Sequence, residues 1–247
     1  MTLPRLRHLL FDLGGTLMHA HSEWGPIHER ADKALVRNLH EHKIALDSRV
    51  FRKQLHEYYS QRDHDLVETT YHLVLRELLN ELGHGEVPES VLRSALDALY
   101  SVTQPNWVLE VDTLATLQQL QSEDFHLGIL SNAGDDKDVK ELIEGFGIRQ
   151  LFDFVLTSAA CYYRKPHPRS FELALAQWNI APAEAVMIGD SLEADILGAQ
   201  NIGMLAVWIT RRAEFTEEDL QRIKPNFSVR KLSELLPTLE RISIGRV

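Results

Sequence analysis

AVMIGDSLEADILGA (residues 185–199) holds the pattern that decides the fold: four apolar residues, a glycine, an acid, and then Ile196 and Leu197 opening a helical spacing that reaches Ile202. A short apolar run bounded this way reads as a buried strand, and the spacing after it as a helix packed on the sheet. The same alternation occurs at HLGIL (126–130), FDFVL (152–156) and LAVWI (205–209). Between these runs lie the helical stripes Leu114, Leu117, Leu120; Val139, Leu142, Ile143, Phe146; and Phe171, Leu173, Leu175, Trp178. The run at residues 9–13 has the same strand character. Strands alternating with helices imply right-handed crossovers and a parallel sheet, so the expected core is a doubly wound α/β domain.

Residues 22–101 read differently. Only helical stripes recur there: Ile27, Ala31, Ala34, Leu35; Val50, Phe51, Leu55, Tyr58; Val67, Tyr71, Val74, Leu75, Leu78, Leu79, Leu82; and Val91, Leu92, Ala95, Leu96, Leu99. Gly83 marks a helix end and Pro88 a helix start. The expectation is an α-helical domain of four helices, residues 19–105, inserted after the first strand of a core formed by residues 1–18 and 106–247. KLSELLPTLERI near the C-terminus reads as a last helix that Pro237 kinks or divides.

Length and composition narrow the class. The 247 residues suffice for a core domain with an insert, and 44% hydrophobic with 25% charged residues is ordinary globular usage. A net charge of -10 argues against a broad nucleic-acid footprint, which needs a basic face. No stretch approaches the roughly 18 apolar residues of a membrane span, and the apolar run after the basic N-terminus is too short for a signal peptide. A single cysteine, Cys161, excludes an internal disulfide framework, fits a reducing cytoplasmic location, and reads as a strand-edge packing residue. The sequence leaves the oligomeric state open.

In an open parallel sheet, ligands bind beyond the carboxyl ends of the strands. The residues following the apolar runs are Asp12, Ser131 with Asn132, Thr157 with Ser158, Gly189 with Asp190, and Thr210, all small, polar or acidic. Asp12 and Asp190 brought together across the sheet would repel unless a cation intervened, and carboxylates with a backbone carbonyl and water suit Mg²⁺. Lys165, in RKPHPRSF ahead of a helix, adds a point charge where the helix N-terminus also favours an anion. Metal, lysine, hydroxyl and helix N-terminus together describe a phosphate pocket, and a carboxylate nucleophile would form an acyl phosphate.

FDLGGTL (11–17), LSN (130–132), RKPHP (164–168) and GDSLEADILGA (189–199), in this order, resemble the four motifs of the haloacid dehalogenase (HAD) superfamily, and the helical insert is similar to the cap found in many members. The resemblance implies that Asp12 is the nucleophile and a Mg²⁺ ligand, with the Gly14 carbonyl and Asp190 as further ligands. It implies that Ser131 and Asn132 contact the transferring phosphoryl group, and that Lys165 neutralises it and orients Asp12. Asp195 then holds waters or Lys165, and Thr16 braces the first loop on the substrate side. The expected activity is Mg²⁺-dependent hydrolysis of a small phosphorylated metabolite through an aspartyl phosphate.

Gly14 departs from the family pattern. Most phosphatases of the family carry an aspartate there as general acid and base, a contribution typically of about 10²- to 10⁴-fold in rate. The backbone carbonyl survives, so metal and phosphate binding should outlast turnover of poor leaving groups, and acyl or aryl phosphates are the expected substrates. A histidine carried by the insert, His19, His21 or His28, is one candidate for the missing proton transfer. Two alternatives stay open: a metal-independent 2-haloacid dehalogenase, against which the GD pair at 189–190 weighs, and a phosphate-binding pseudoenzyme with little turnover, which Gly14 alone supports.

Overall fold

A computed structural model describes residues 6–244, with backbone only for residues 59–64, 243 and 244. Residues 1–5 and 245–247, which the expected core span includes, lie outside the described residues. The strands are β1 (His8–Phe11), β2 (Met18–Ala20), β3 (Trp107–Leu109), β4 (His126–Ser131), β5 (Phe154–Thr157), β6 (Ala185–Gly189), β7 (Leu205–Ile209) and β8 (Phe227–Val229). Six of them form a parallel sheet in the order β5-β4-β1-β6-β7-β8, while β2 and β3 pair antiparallel as a separate ribbon. The doubly wound expectation is met, with β1 at the centre and the chain winding outward from it in both directions.

Adjacent residues of each central strand enter opposite layers, as the two-residue period of a strand requires. Leu9, Phe11, Ile129, Val186 and Ile188 pack with Leu117, Leu120, Ile143 and Leu235 on one face. Leu10, Leu130 and Met187 pack with Phe171, Leu175 and Ile196 on the other. Because both faces are covered, these strands are apolar throughout rather than alternating.

Between β2 and β3 the chain forms α1 (Trp24–Glu41), α2 (Ser48–Asp65), α3 (Tyr71–Glu81) and α4 (Glu89–Thr103). They enclose their own apolar cluster, including Leu35, Leu39, Phe51, Leu75, Leu79, Leu92 and Leu96, each fully or almost fully buried. The side chain of Thr70 caps α3 by accepting from the Leu73 amide, and Gly83 takes the left-handed φ of +82° just beyond the end of that helix.

Three details differ from the sequence reading. The apolar run at 9–13 is strand only to Phe11, although the Asp12 amide still donates to the Ile188 carbonyl at 2.8 Å. The last helix, Leu235–Ile244, begins two residues before Pro237, so the proline sits in its first turn, where its missing N–H has no intrahelical acceptor to lose, and does not divide it. Cys161 is the buried last residue of a short helix, Ser158–Cys161, not a strand-edge residue.

Candidate active site

Strand order reverses at β1, which has β4 on one side and β6 on the other. Backbones leave those three strands toward opposite sides of the sheet, and a crevice opens at their carboxyl ends. Asp12 follows β1, Ser131 ends β4, and Asp190 follows β6. Lys165 reaches in from the loop ahead of the helix Pro168–Trp178, and its Nζ donates to Asp12 Oδ1 and to Asp195 Oδ1, both at 2.6 Å. The other oxygen of Asp195 accepts from the Ser191 amide at 3.0 Å, so Asp195 is fixed at both ends.

The electrostatics are unbalanced. Asp12, Asp190 and Asp195 each offer an oxygen within 4.8 Å of the others, and one ammonium lies among them. Burial works to lower the Lys165 pKa, but the two carboxylates it touches outweigh burial and raise it, so the lysine stays charged. Asp190 is pushed up, first by burial and then by repulsion from Asp12 and Asp195. Asp195 is also raised, by burial, with Lys165 pulling against it. Three carboxylates around one buried cation are a donor set suited to a second, divalent cation, and hard oxygen ligands of this kind fit Mg²⁺.

The loop after Asp12 is shaped by close approach. Gly15 has φ +81°, and a Cβ there would lie 2.3 Å from Asp190 Oδ2, so only glycine lets the backbone wrap this carboxylate. Thr16, 1% exposed, donates to Asp190 Oδ1 at 3.2 Å. That bond ties the first loop to the Asp190 carboxylate. The Asn132 carboxamide donates to the Lys165 carbonyl at 2.9 Å and accepts from the Lys165 amide at 2.8 Å. That side chain holds the lysine loop, which leaves the phosphoryl contact expected of Asn132 to its backbone.

Above the strand ends lies a cavity of about 530 Å³, lined on the far side by residues of the four insert helices. Of the three histidines considered for proton transfer, only His28 lines it. His19 instead faces Glu110, its Nδ1 3.0 Å from a carboxylate oxygen that also serves Arg212, and His21 is exposed. Arg52 lines the cavity paired with Asp32, with its Nε 2.6 Å from Oδ2. Asp138 lines it too, and burial pushes its carboxyl up to about 7, against the Gln104 hydrogen bond of 2.9 Å. The Trp107 ring comes to 3.3 Å from where a Cβ of Gly14 would stand.

A second seam joins insert and core beside the lysine loop. The Glu68 amide donates to the Tyr162 carbonyl at 2.9 Å and the Arg164 amide to the Leu66 carbonyl at 2.8 Å. The buried Glu68 carboxylate accepts from Arg164 and from the Ser158 hydroxyl. Sequence reasoning missed Glu68, Trp107 and Asp138: each is a lone residue without a motif, brought to the site by chain pairing far along the sequence. Arg164 lies inside a quoted motif, but its partner is 96 residues away.

A family model described as haloacid dehalogenase-like hydrolase matches residues 6–203, most of the chain. The chain belongs to that family. This hydrolase is 29% identical over 243 residues to a glyceraldehyde 3-phosphate phosphatase of Pyrococcus furiosus, covering 97% of this chain and 95% of that one. Among solved structures it resembles a HAD phosphatase from Thermococcus onnurineus, with TM-score 0.64 and 26% identity over 94% of this chain and 97% of that one. A 2-haloacid dehalogenase from Pseudomonas syringae pv. Tomato superposes with TM-score 0.70 over 96% of the hydrolase and 99% of that chain; at 23% identity this bears on the fold alone. Among the described residues no helix is long and apolar enough to cross a membrane.

Proposed function

We propose that this hydrolase cleaves small phosphorylated metabolites through an aspartyl phosphate on Asp12, with residues 19–105 acting as a cap over a core of residues 1–18 and 106–247. One observation carries the reading: Asp12 is gripped by the buried Lys165 at 2.6 Å while Asp190 and Asp195 crowd the same point. The full-length similarity to a glyceraldehyde 3-phosphate phosphatase supports a small phosphate monoester as substrate.

In the first step the free oxygen of Asp12 attacks phosphorus, and the ester P–O bond breaks with its electron pair on the leaving oxygen. Water then attacks the phosphorus of the acyl phosphate, the P–O bond to Asp12 breaks, and the carboxylate is restored with release of inorganic phosphate. Lys165 orients Asp12 and offsets the phosphoryl charge, Asp195 fixes Lys165, and the Ser131 hydroxyl and Asn132 backbone amide receive phosphoryl oxygens. Asp12, Asp190 and the Gly14 carbonyl would hold Mg²⁺, which when bound supplies the positive charge this acidic cluster lacks. Gly14 donates no proton, so the leaving group departs unassisted from that position. A reducing, cytoplasmic setting fits the single buried thiol.

The test is phosphate release from an aryl phosphate with Mg²⁺ and with EDTA. Release that requires the metal is expected. Chloride release from a 2-haloacid in EDTA would favour the dehalogenase alternative, and phosphate binding without release the pseudoenzyme.

A further inference from the structure

The side of the cavity next to Gly14 is aromatic. The Trp107 ring edge stands 3.3 and 3.6 Å from an ideal Cβ at Gly14, so a side chain there would need the ring to give by a few tenths of an ångström. Trp24, at the start of α1, meets Trp107 with ring centroids 4.9 Å apart and planes tilted by 60°. His28, one turn further along α1, stacks on Trp24 at 5.1 Å and 17°, and burial with the nearby Arg52 lowers its pKa, so the ring is neutral at pH 7. All three rings line the cavity together with Asp12. The core wall of the cavity is charged, whereas this side presents aromatic rings.

We infer that Trp107, Trp24 and His28 form a subsite for a planar aromatic leaving group, and that the hydrolase cleaves aryl or heteroaryl phosphate esters in preference to alkyl ones. The inference deepens the phosphohydrolase reading and rests on it. Its chemistry closes without an acid at Gly14. When Asp12 attacks, the pair from the broken P–O bond stays on the aryl oxygen as an aryloxide, which takes its proton from solvent water after departure. A phenol has a pKa of about 10, like tyrosine, so the aryloxide is a far weaker base than an alkoxide and leaves without a proton donor. Offset or edge-on ring contacts at centroid separations of about 4.5–7 Å hold such a group and exclude water from it. The same ring that crowds Gly14 thus binds the class of leaving group that can dispense with an acid there.

The experiment has a turnover arm and a binding arm. With Mg²⁺ present, kcat/KM is measured for 4-nitrophenyl, phenyl and ethyl phosphate on the wild type and on Trp24→Leu, Trp24→Phe and Trp107→Leu. The expected result is an aryl preference of about 10²-fold or more over ethyl phosphate, the scale of one missing general acid. Trp24→Leu should cut that ratio at least tenfold, chiefly through KM for the aryl esters, and Trp24→Phe should keep it. Ethyl phosphate cleaved as fast as phenyl phosphate overturns the subsite while leaving the phosphohydrolase reading intact. Absence of metal-dependent release from all three esters overturns that reading instead. The binding arm is independent of turnover: on Asp12→Asn, phenyl phosphate should bind more tightly than ethyl phosphate, and Trp107→Leu should erase the difference. Equal affinities on Asp12→Asn, or a preference that survives both leucine variants, contradict the subsite.

Discussion

The two walls of the cavity are built on opposite principles. On the core wall, three carboxylates and one lysine converge from three separate segments, and burial with mutual repulsion keeps Asp190 and Asp195 reluctant to ionise. On the insert wall, Arg52 is already paired with Asp32, and the remaining surface is largely ring edges and faces. A wall with surplus negative charge is arranged to act on something brought to it. A wall whose charges are satisfied can hold a substrate without competing for the phosphoryl group.

The sharpest way to break that contrast is Lys165→Met. It removes the one cation of the core wall and leaves Asp12 and Asp195 buried side by side, so activity should fall by about 10³-fold or more and stability by about 3–5 kcal/mol. Chemical denaturation and phosphate release would both register it. Glu68→Ala attacks the seam between the walls: loss of a buried partner of Arg164 and Ser158 should cost about 3 kcal/mol of stability, read as a lower denaturation midpoint. Asp190→Asn should act the other way on stability. It relieves a repelled carboxylate, so metal-free protein should gain about 1 kcal/mol, or about 2–4 °C in Tm for a chain of this size, while the Tm gain on adding Mg²⁺ disappears.

Asp138, on the core helix Asp136–Gly145, gives the cavity a pH signature. Its folded pKa, about 7, lies above the ordinary 3.8 of an aspartate because burial disfavours the charged form. The folded state therefore binds the proton more tightly than the unfolded chain, and the stability this contributes is complete below about pH 4 and lost as pH climbs through 7. Asp138→Asn should flatten the fall in Tm between those limits, and a parallel fall in the variant would show that another group is responsible. The smallest effect belongs to Lys137→Ala, whose exposed pair with Asp97 across the insert–core boundary should contribute under about 1 kcal/mol and vanish at high salt.

Sequence carried most of the core wall and little of the insert wall, for a physical reason. A buried parallel strand needs an apolar run and must end at the crevice, so LLF before Asp12, GIL before Ser131 and VMI before Asp190 announce both the strand and the residue it delivers. A helical stripe announces only which face is buried. Leu55 sits in such a stripe and Trp24 just ahead of one, yet Trp24 meets Trp107 at a tilt of 60° and both end up lining the cavity, because the crossing of helices over the sheet sets their reach. The short strands β2, β3 and β8 were missed because three residues cannot show a period. His19 was misplaced for the same reason: its strand pairs with Trp107–Leu109 and turns it toward Glu110.

The central claim is that Asp12 carries the phosphoryl group between the two steps. The direct measurement is to mix the hydrolase with Mg²⁺ and a phosphate ester labelled in its phosphoryl group, quench in acid within one turnover, and locate the label by peptide mass spectrometry. Label is expected on the peptide containing Asp12 in the wild type and none in Asp12→Asn, with turnover lost in that variant. Phosphate release that continues at the wild-type rate in Asp12→Asn, or label on a different residue, would contradict it.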